Sequence, residues 1–295
     1  MRSIIKKSPI PENKTYIIQK LHSSYFDPNI HSHPEFQLFF VLEGRGTRFI
    51  GDNIKPFQEG DIVFTGPHLP HLWKSDDAYF EKSKELKTSG VVLYLRKDFL
   101  GDSVHQKEEM ESLNLLFSKS LRGLELVGNT NKTVGNLMLE LLNLKGLSGI
   151  IQVLKILNIM AASSECRPIA NHGYDVLDTK PESDRMNKVY EYVMKNFRQR
   201  ISLKEVAGII NMTPTSFCRF FKARVNKSFS DFVKEIRIEY SCKMLNEEKI
   251  TINQISYECG FPTLSNFNKQ FKMITGDTPL NYRKRYRKLS VENLR

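Results

Sequence analysis

The chain has few cysteines, and none of them is placed for shared chemistry. There are four in 295 residues, and no two form a C-x-x-C pair. This spacing argues against a zinc site and against a disulfide framework. The pattern is typical of reduced, mostly buried thiols in the cytosol, and the four residues are Cys166, Cys218, Cys242 and Cys259.

Long hydrophobic runs are also missing. The most apolar stretch, residues 150–162, is interrupted by Gln152, Lys155 and Asn158, so it is not expected to cross a bilayer. The opening residues, MRSIIKKSPIPENK, lack the apolar core that a secretory signal peptide needs. We therefore expect a cytoplasmic protein without a membrane partner.

Acidic side chains are scarce in the C-terminal part of the chain. From Arg185 onward there are 22 basic and 10 acidic residues, a balance of +12, whereas residues 1–184 have a balance of −1. This excess favours duplex DNA as the partner of the C-terminal part. An anionic membrane is disfavoured, because the basic residues lie on short helical segments between aromatics and not along one long amphipathic face.

Two similar helical patterns follow each other in this basic part. In the first, Ser202 is placed to cap a helix, and Thr213 and Pro214 open the next one. In the second, Thr251 is placed as the cap, and Gly260 separates the two helices. One such pair is also an ordinary packing unit, but a charged pair that occurs twice predicts two helix-turn-helix DNA readers.

The second helix of each pattern has an aromatic face and a polar face. Phe217 and Phe221 match Phe267 and Phe271, and Asn226 matches Gly276 at the expected helix end. The polar faces are expected to contact DNA, with Arg219 best suited to guanine and Asn268 to adenine. They carry Thr215, Cys218, Arg219 and Lys222 in the first pattern and Ser265, Asn268, Lys269 and Lys272 in the second.

This segment, residues 186–286, resembles the AraC/XylS-type DNA-binding domain. The resemblance implies two helix-turn-helix units joined by a long helix, here expected at residues 230–245. Ser256 stands where the family commonly has alanine, which is compatible with a helix because the hydroxyl can bond back to a carbonyl one turn earlier. The residues that carry the resemblance are Ile255, Gly260, Phe261, Ser265, Phe267, Gln270, Phe271, Lys272, Gly276, Thr278, Pro279, Tyr282 and Arg283.

The N-terminal half has a strand pattern. Short apolar or aromatic runs, separated by glycine-containing turns and without helical periodicity between them, predict a small β-barrel or sandwich. The runs are Tyr16–Ile18, Phe36–Leu42, Thr47–Ile50, Ile62–Thr65 and Val91–Leu95.

Two segments there, HSHPEFQLFFVLEGRG and EGDIVFTGPHLPHLW, resemble the paired motifs of the cupin barrel. In metal-binding cupins these motifs supply three histidines and a glutamate, and the resemblance places the histidines at His31, His33 and His71. The glutamate position is Gln37, so we expect no resident metal and no cofactor. These four residues are instead expected to line a pocket for a small-molecule effector. Trp73 is read as packing at the rim.

Helical periodicity returns after the strands. Three apolar faces, around residues 113–117, 134–142 and 151–161, are expected to pack on the barrel. The family resemblance implies that helices in this region also form the dimer contact.

The sequence thus predicts an α+β chain: a cupin-like β-barrel with flanking helices for sensing and dimerisation (1–165), a linker (166–185), and an all-α domain of two helix-turn-helix units joined by a long helix (186–295). We expect a non-enzymatic transcription regulator that binds promoter DNA, and RNA polymerase if it activates. The alternative is a cupin-type metal-dependent enzyme carrying a DNA-binding domain. Gln37 counts against it, as does the lack of a second His, Asp and Glu cluster.

Overall fold

The computed structural model describes residues 10–28, 30–80, 86–101, 103–171, 180–225, 227–245 and 250–292. The chain divides into two compact units, residues 1–183 and 184–295. Asn226, which the repeat predicts to end a helix, lies outside the described residues. No helix in the described part of the chain is both long and apolar enough to cross a membrane.

The N-terminal unit is built on antiparallel strands in two sheets. The larger sheet has the order β1-β7-β2-β5-β8-β9 and the smaller sheet the order β4-β3-β6. The strands are β1 Tyr16–Ser23, β2 Phe36–Glu43, β3 Gly46–Ile50, β4 Asn53–Phe57, β5 Ile62–Thr65, β6 His71–Ser75, β7 Thr88–Leu95, β8 Leu124–Leu126 and β9 Cys166–Pro168.

Alternation along the strands of the larger sheet separates two apolar cores. On β2, Phe36 and Leu38 belong to one core, whereas Phe39 and Val41 belong to the other. The second core is shared with strands of the smaller sheet, through Ile50 and the buried Trp73, and is the interior of the barrel. The predicted cupin-like barrel is therefore confirmed, but Trp73 is an interior residue and the prediction of a rim position was wrong.

Three helices cover the other face of the larger sheet, as the periodicity predicts. They are α1 Glu111–Ser120, α2 Gly128–Leu141 and α3 Gly146–Ala162. Their buried residues, among them Phe117, Met138 and Ile156, join the same core as Phe36 and Leu38. These helices bury the outward-facing side chains of β2, β5 and β7.

The structure corrects the predicted linker at both of its ends. β9 pairs with β8, with Leu126 opposite Cys166, so the residues after 165 still belong to the larger sheet. Helix α4, Lys180–Asn196, begins six residues before the predicted start at Met186. Pro181 lies in its first turn, where the missing proline N–H is not needed for an intrahelical bond. The rest of the predicted linker, residues 172–179, lies outside the described residues.

The C-terminal unit is all-α in its described residues, as predicted. After α4 come α5 Leu203–Ile209, α6 Pro214–Val225, α7 Phe229–Met244, α8 Ile252–Glu258, α9 Leu264–Thr275 and α10 Pro279–Glu292. Helices α5 and α6 form the first helix-turn-helix unit, and α8 and α9 form the second. The long helix α7 lies between them in the chain, within one residue of its predicted ends.

Helix α7 packs against both units. Near its start, the ring of Phe229 lies 5.1 Å from Phe217, and Phe232 lies 5.3 Å from Phe221, both on α6. Near its end, Ile238 and Cys242 join the core that contains Phe267 and Phe271 of α9. Helices α6 and α9 are therefore attached to one common element.

Candidate functional site

The polar faces of α6 and α9 reach solvent at every position predicted to contact DNA. On α6, Phe217 and Phe221 are fully buried. On α9, Phe267 and Phe271 are buried in the same way. The positions that are exposed on the opposite faces are Thr215, Cys218, Arg219 and Lys222 on α6 and Ser265, Asn268, Lys269 and Lys272 on α9.

The two turns have the same geometry, although the second is one residue longer. Helix α5 matches α8 at an offset of 49 residues and α6 matches α9 at 50. Asn211 and Gly260 both adopt the left-handed conformation, with φ of 56° and 82°. A Cβ on Gly260 would lie 2.6 Å from the carbonyl oxygen of Arg198, so glycine is required there for space as well as for φ.

An equivalent backbone hydrogen bond closes each of the two turns. The amide of Met212 donates to the carbonyl of Ala207 at 2.9 Å, and the amide of Phe261 donates to the carbonyl of Ser256 at 3.0 Å. The Ser256 hydroxyl donates to the carbonyl of Asn253 at 2.8 Å, as predicted for a serine at an alanine position. The repeat therefore extends from sequence to backbone hydrogen bonding.

Threonine caps fix the starts of three helices in the two units. Thr213 and Thr263 accept from the amides of Ser216 and Asn266 at 3.3 and 3.2 Å, at the starts of α6 and α9. Thr251 forms a reciprocal capping box with Gln254 at the start of α8. Ser202 occupies the N-cap position of α5, but its side chain makes no capping hydrogen bond.

Some basic residues of the C-terminal unit serve the fold. Arg283 donates to the carbonyls of Leu245 and Ile250 at 3.0 and 2.8 Å. Arg237 donates to the carbonyls of Phe197 and Gln199, at 2.7 Å in both cases. Positive charge alone therefore does not identify a residue that contacts DNA.

In the N-terminal unit, the structure brings His31, His33, Gln37 and His71 together inside the barrel. All four are buried. One nitrogen of each histidine lies within 4.8 Å of the others. His33 is held at both ring nitrogens: Nδ1 lies 3.1 Å from the Glu35 carbonyl and Nε2 lies 3.1 Å from the Gln37 side-chain oxygen.

These residues fit a resident metal ion poorly. The position of the anionic ligand is occupied by the Gln37 amide, and that amide faces the His33 nitrogen that a metal would need. His71 is better placed, because its Nδ1 donates to the Leu69 carbonyl at 2.7 Å and its Nε2 keeps the lone pair. Without a carboxylate at the Gln37 position, the imidazole cluster is more suitable for hydrogen bonding than for holding a metal.

Tyr94 and Glu35 also belong to this cluster, and the sequence reasoning missed both. Tyr94 lies opposite Gln37 in the sheet, and its ring is 5.2 Å from His33. Burial, with a contribution from the negative charge of Glu35, raises the pKa of Tyr94 to about 12. Its hydroxyl therefore stays protonated at physiological pH.

Arg48 was missed as well, and it is a deeply buried charged group, with 1% of its surface exposed. Its Nη2 donates to the carboxylate of Glu125. Its Nε and Nη1 are buried without a hydrogen-bond partner among the described residues, as is Nε1 of Trp73, the residue opposite it on β6. The available signal was the alternation of β3, which places Arg48 on the same inward face as Ile50.

Comparison with known proteins gives one family model for each part of the chain. The family model of a helix-turn-helix domain matches residues 206–285, and that of a cupin domain matches residues 19–78. The HTH-type transcriptional regulator YdeC of Bacillus subtilis is 25% identical over 295 residues, covering 94% of this chain and 92% of YdeC. The Msm operon regulatory protein of Streptococcus mutans is 22% identical, covering 88% and 87%.

Among solved structures, ToxT from Vibrio cholerae aligns over 91% of this chain and 97% of its own, with 14% identity and a TM-score of 0.37. The domain matches define a helix-turn-helix protein with an N-terminal cupin domain. The chain is a transcription regulator with an AraC-type helix-turn-helix domain and a cupin domain.

Proposed function

We propose that α6 and α9 read operator DNA through their exposed polar faces. One observation carries this proposal: eight side chains at equivalent positions of two repeated helices are exposed, while the aromatic residues between them are buried. Arg219 is assigned to guanine, Asn268 to adenine, and Lys272 to a phosphate. Thr215, Cys218, Ser265, Lys222 and Lys269 complete the two faces.

Helix α7 supports a fixed spacing between the two readers. Because it packs on both α6 and α9 through buried aromatic and aliphatic residues, the two units are expected to bind as one body. The second helices would then enter the major groove about one helical turn, ~34 Å, apart. The operator should therefore contain two recognition elements separated by that distance.

We further propose that a small-molecule effector binds inside the barrel, among His31, His33, Gln37 and His71. Arg48 and Trp73 extend this site, because three buried N–H donors on them have no partner among the described residues. Leaving such donors unsatisfied costs free energy, and an effector with several oxygen acceptors removes that cost. The proposed effector is therefore a small molecule rich in hydroxyl, carbonyl or carboxylate oxygens.

The proposal also covers assembly, the contact with RNA polymerase and the location in the cell. Leu147 and Ile151 lie one turn apart on α3, and 70% and 57% of their surfaces are exposed. Leu115 on α1 is exposed to 54%. We propose that these apolar residues form a homodimer contact. A regulator of this kind acts in the cytoplasm, contacts RNA polymerase if it activates, and has no catalytic activity of its own.

The proposal is tested by selecting duplexes from a random pool with the full-length chain. We expect an enriched sequence with two elements about 10 base pairs apart. Failure to enrich any sequence contradicts specific binding. For the effector, a compound screen by thermal shift on the same chain should yield a stabilising compound rich in oxygen acceptors, since a ligand of the native state raises stability. That stabilisation should be lost in Arg48→Met.

A further inference from the structure

A cavity lies on the outside of the barrel, beside α1. Its volume is about 700 Å³. The floor is apolar and aromatic: Phe36 and Phe117 are buried and stacked, with ring centroids 4.2 Å apart and an interplanar angle of 22°. His68 and Lys97 line the cavity and are exposed.

This cavity is distinct from the histidine cluster inside the barrel. Phe36 points to the core between the larger sheet and the helices, whereas Gln37, the next residue, points into the barrel. The two sites share one loop. The amide of His68 donates to the His33 carbonyl at 2.8 Å, and the amide of Gly66 donates to the Ser120 carbonyl at the end of α1, also at 2.8 Å.

His105 supplies a polar group to the floor of the cavity. Asn114 donates from its amide nitrogen to the His105 carbonyl at 2.7 Å, which directs its side-chain oxygen toward His105 Nδ1 at 3.3 Å. An oxygen acceptor at that distance requires that Nδ1 carry a proton. The other nitrogen, Nε2, is buried and has no hydrogen-bond partner in the part of the chain that the structure describes.

We propose that this cavity binds an organic anion with a flat apolar body, independently of the barrel effector. The stacked Phe36 and Phe117 rings accept the apolar body, which removes both surfaces from water. The Lys97 ammonium attracts the anionic group at the rim. Two features of different kinds, an aromatic floor and a cation, meet in one cavity of ligand size.

The test uses two compounds of the same shape, 1-naphthaleneacetic acid and its neutral amide, titrated calorimetrically into the full-length chain. We expect the acid to bind saturably with one site per chain, and the amide to bind roughly tenfold more weakly because it lacks the charge. Lys97→Ala should weaken binding of the acid by about tenfold and leave binding of the amide unchanged. Lys132→Ala, which removes an exposed lysine of α2 that does not line the cavity, is the matched control and should change neither.

A filling variant locates the site. Ser118 is exposed on α1 and lines the cavity, so Ser118→Trp should abolish binding of both compounds while thermal unfolding and DNA binding stay as in the wild type. If that variant does not fold, the Lys97→Ala titration decides alone. No saturable binding up to about 5 mM, equal binding of acid and amide, or binding that is lost in Arg48→Met but kept in Ser118→Trp would each overturn the proposal.

Discussion

The side-chain oxygen of Gln37 lies 3.1 Å from Nε2 of His33, at the position where the cupin motif has a glutamate. Both residues are buried inside the barrel, together with His31 and His71. The amide therefore occupies the place of an anionic metal ligand and engages a nitrogen that such a metal would use. This single relationship favours hydrogen bonding over metal binding at the site.

Metal content follows directly from this geometry. Protein purified without added metal should carry well below one zinc, iron or manganese ion per chain by elemental analysis. Gln37→Glu restores the carboxylate and should raise the zinc content of protein prepared in the same way. About one ion per wild-type chain, lost in His31→Ala, contradicts the prediction.

Thiol reactivity tests the exposed face of α6. Burial raises the pKa of Cys242 and of Cys259 to about 12 and that of Cys166 to about 11, so these thiols stay protonated and unreactive at pH 8. Cys218 is exposed. Iodoacetamide at pH 8 should therefore modify Cys218 first, as read by peptide mass analysis.

Operator DNA should protect Cys218 from this modification, because the residue is predicted to face the major groove. A scrambled duplex at the same concentration is the control and should protect less. If saturating operator leaves the alkylation rate of Cys218 unchanged, α6 does not enter the groove with this face.

Two glycines of the helix-turn-helix units should respond to alanine in opposite ways. Gly260 has φ of +82° and no room for a Cβ, so Gly260→Ala should lower the free energy of unfolding by at least about 1–2 kcal/mol. Gly208 is exposed on α5, and a Cβ there would meet nothing within 4 Å. Gly208→Ala should raise stability by roughly 0.5–1 kcal/mol. Urea titration measures both, and equal effects would contradict the turn geometry.

The exposed leucine and isoleucine of α3 should determine the oligomeric state. We expect sedimentation of the full-length chain to show a dimer, and the double change Leu147→Glu and Ile151→Glu to give a monomer. Leu280→Glu on α10 is a matched control, since 51% of the Leu280 surface is exposed, and it should stay dimeric. If the wild-type chain sediments as a monomer at tens of micromolar, α3 does not form a dimer contact.

Much of the fold could be predicted because its patterns are long or repeated. The helices of the two helix-turn-helix units carry several apolar residues at helical spacing, and the second copy supports the first. Strands β8 and β9 were missed because three residues are too few for alternation to show. Strand β4 contains Pro56, which weakens a strand pattern but is tolerated at the edge of the smaller sheet.

The sites were predicted less completely for a different reason. His31, His33, Gln37 and His71 lie in two recognisable motifs, so their proximity could be expected. Arg48 and Tyr94 reach the same interior only through strand pairing between segments far apart in sequence. Glu35 lies within the first motif, two residues from His33, and could have been found there. The cavity beside α1 likewise joins His68, Lys97 and His105 from three separate segments, and no local pattern connects them.

The most direct test of DNA reading is the titration of Arg219→Ala, as the full-length chain, against the selected operator and a scrambled duplex at several salt concentrations. Lys272→Ala is the matched control. It should weaken both duplexes alike and reduce the salt slope by about one unit. Arg219→Ala should weaken binding to the operator by about 1–3 kcal/mol and relax the preference at one base position. Binding to the scrambled duplex should change much less. Equal losses on both duplexes for Arg219→Ala would contradict the placement of α6 in the major groove.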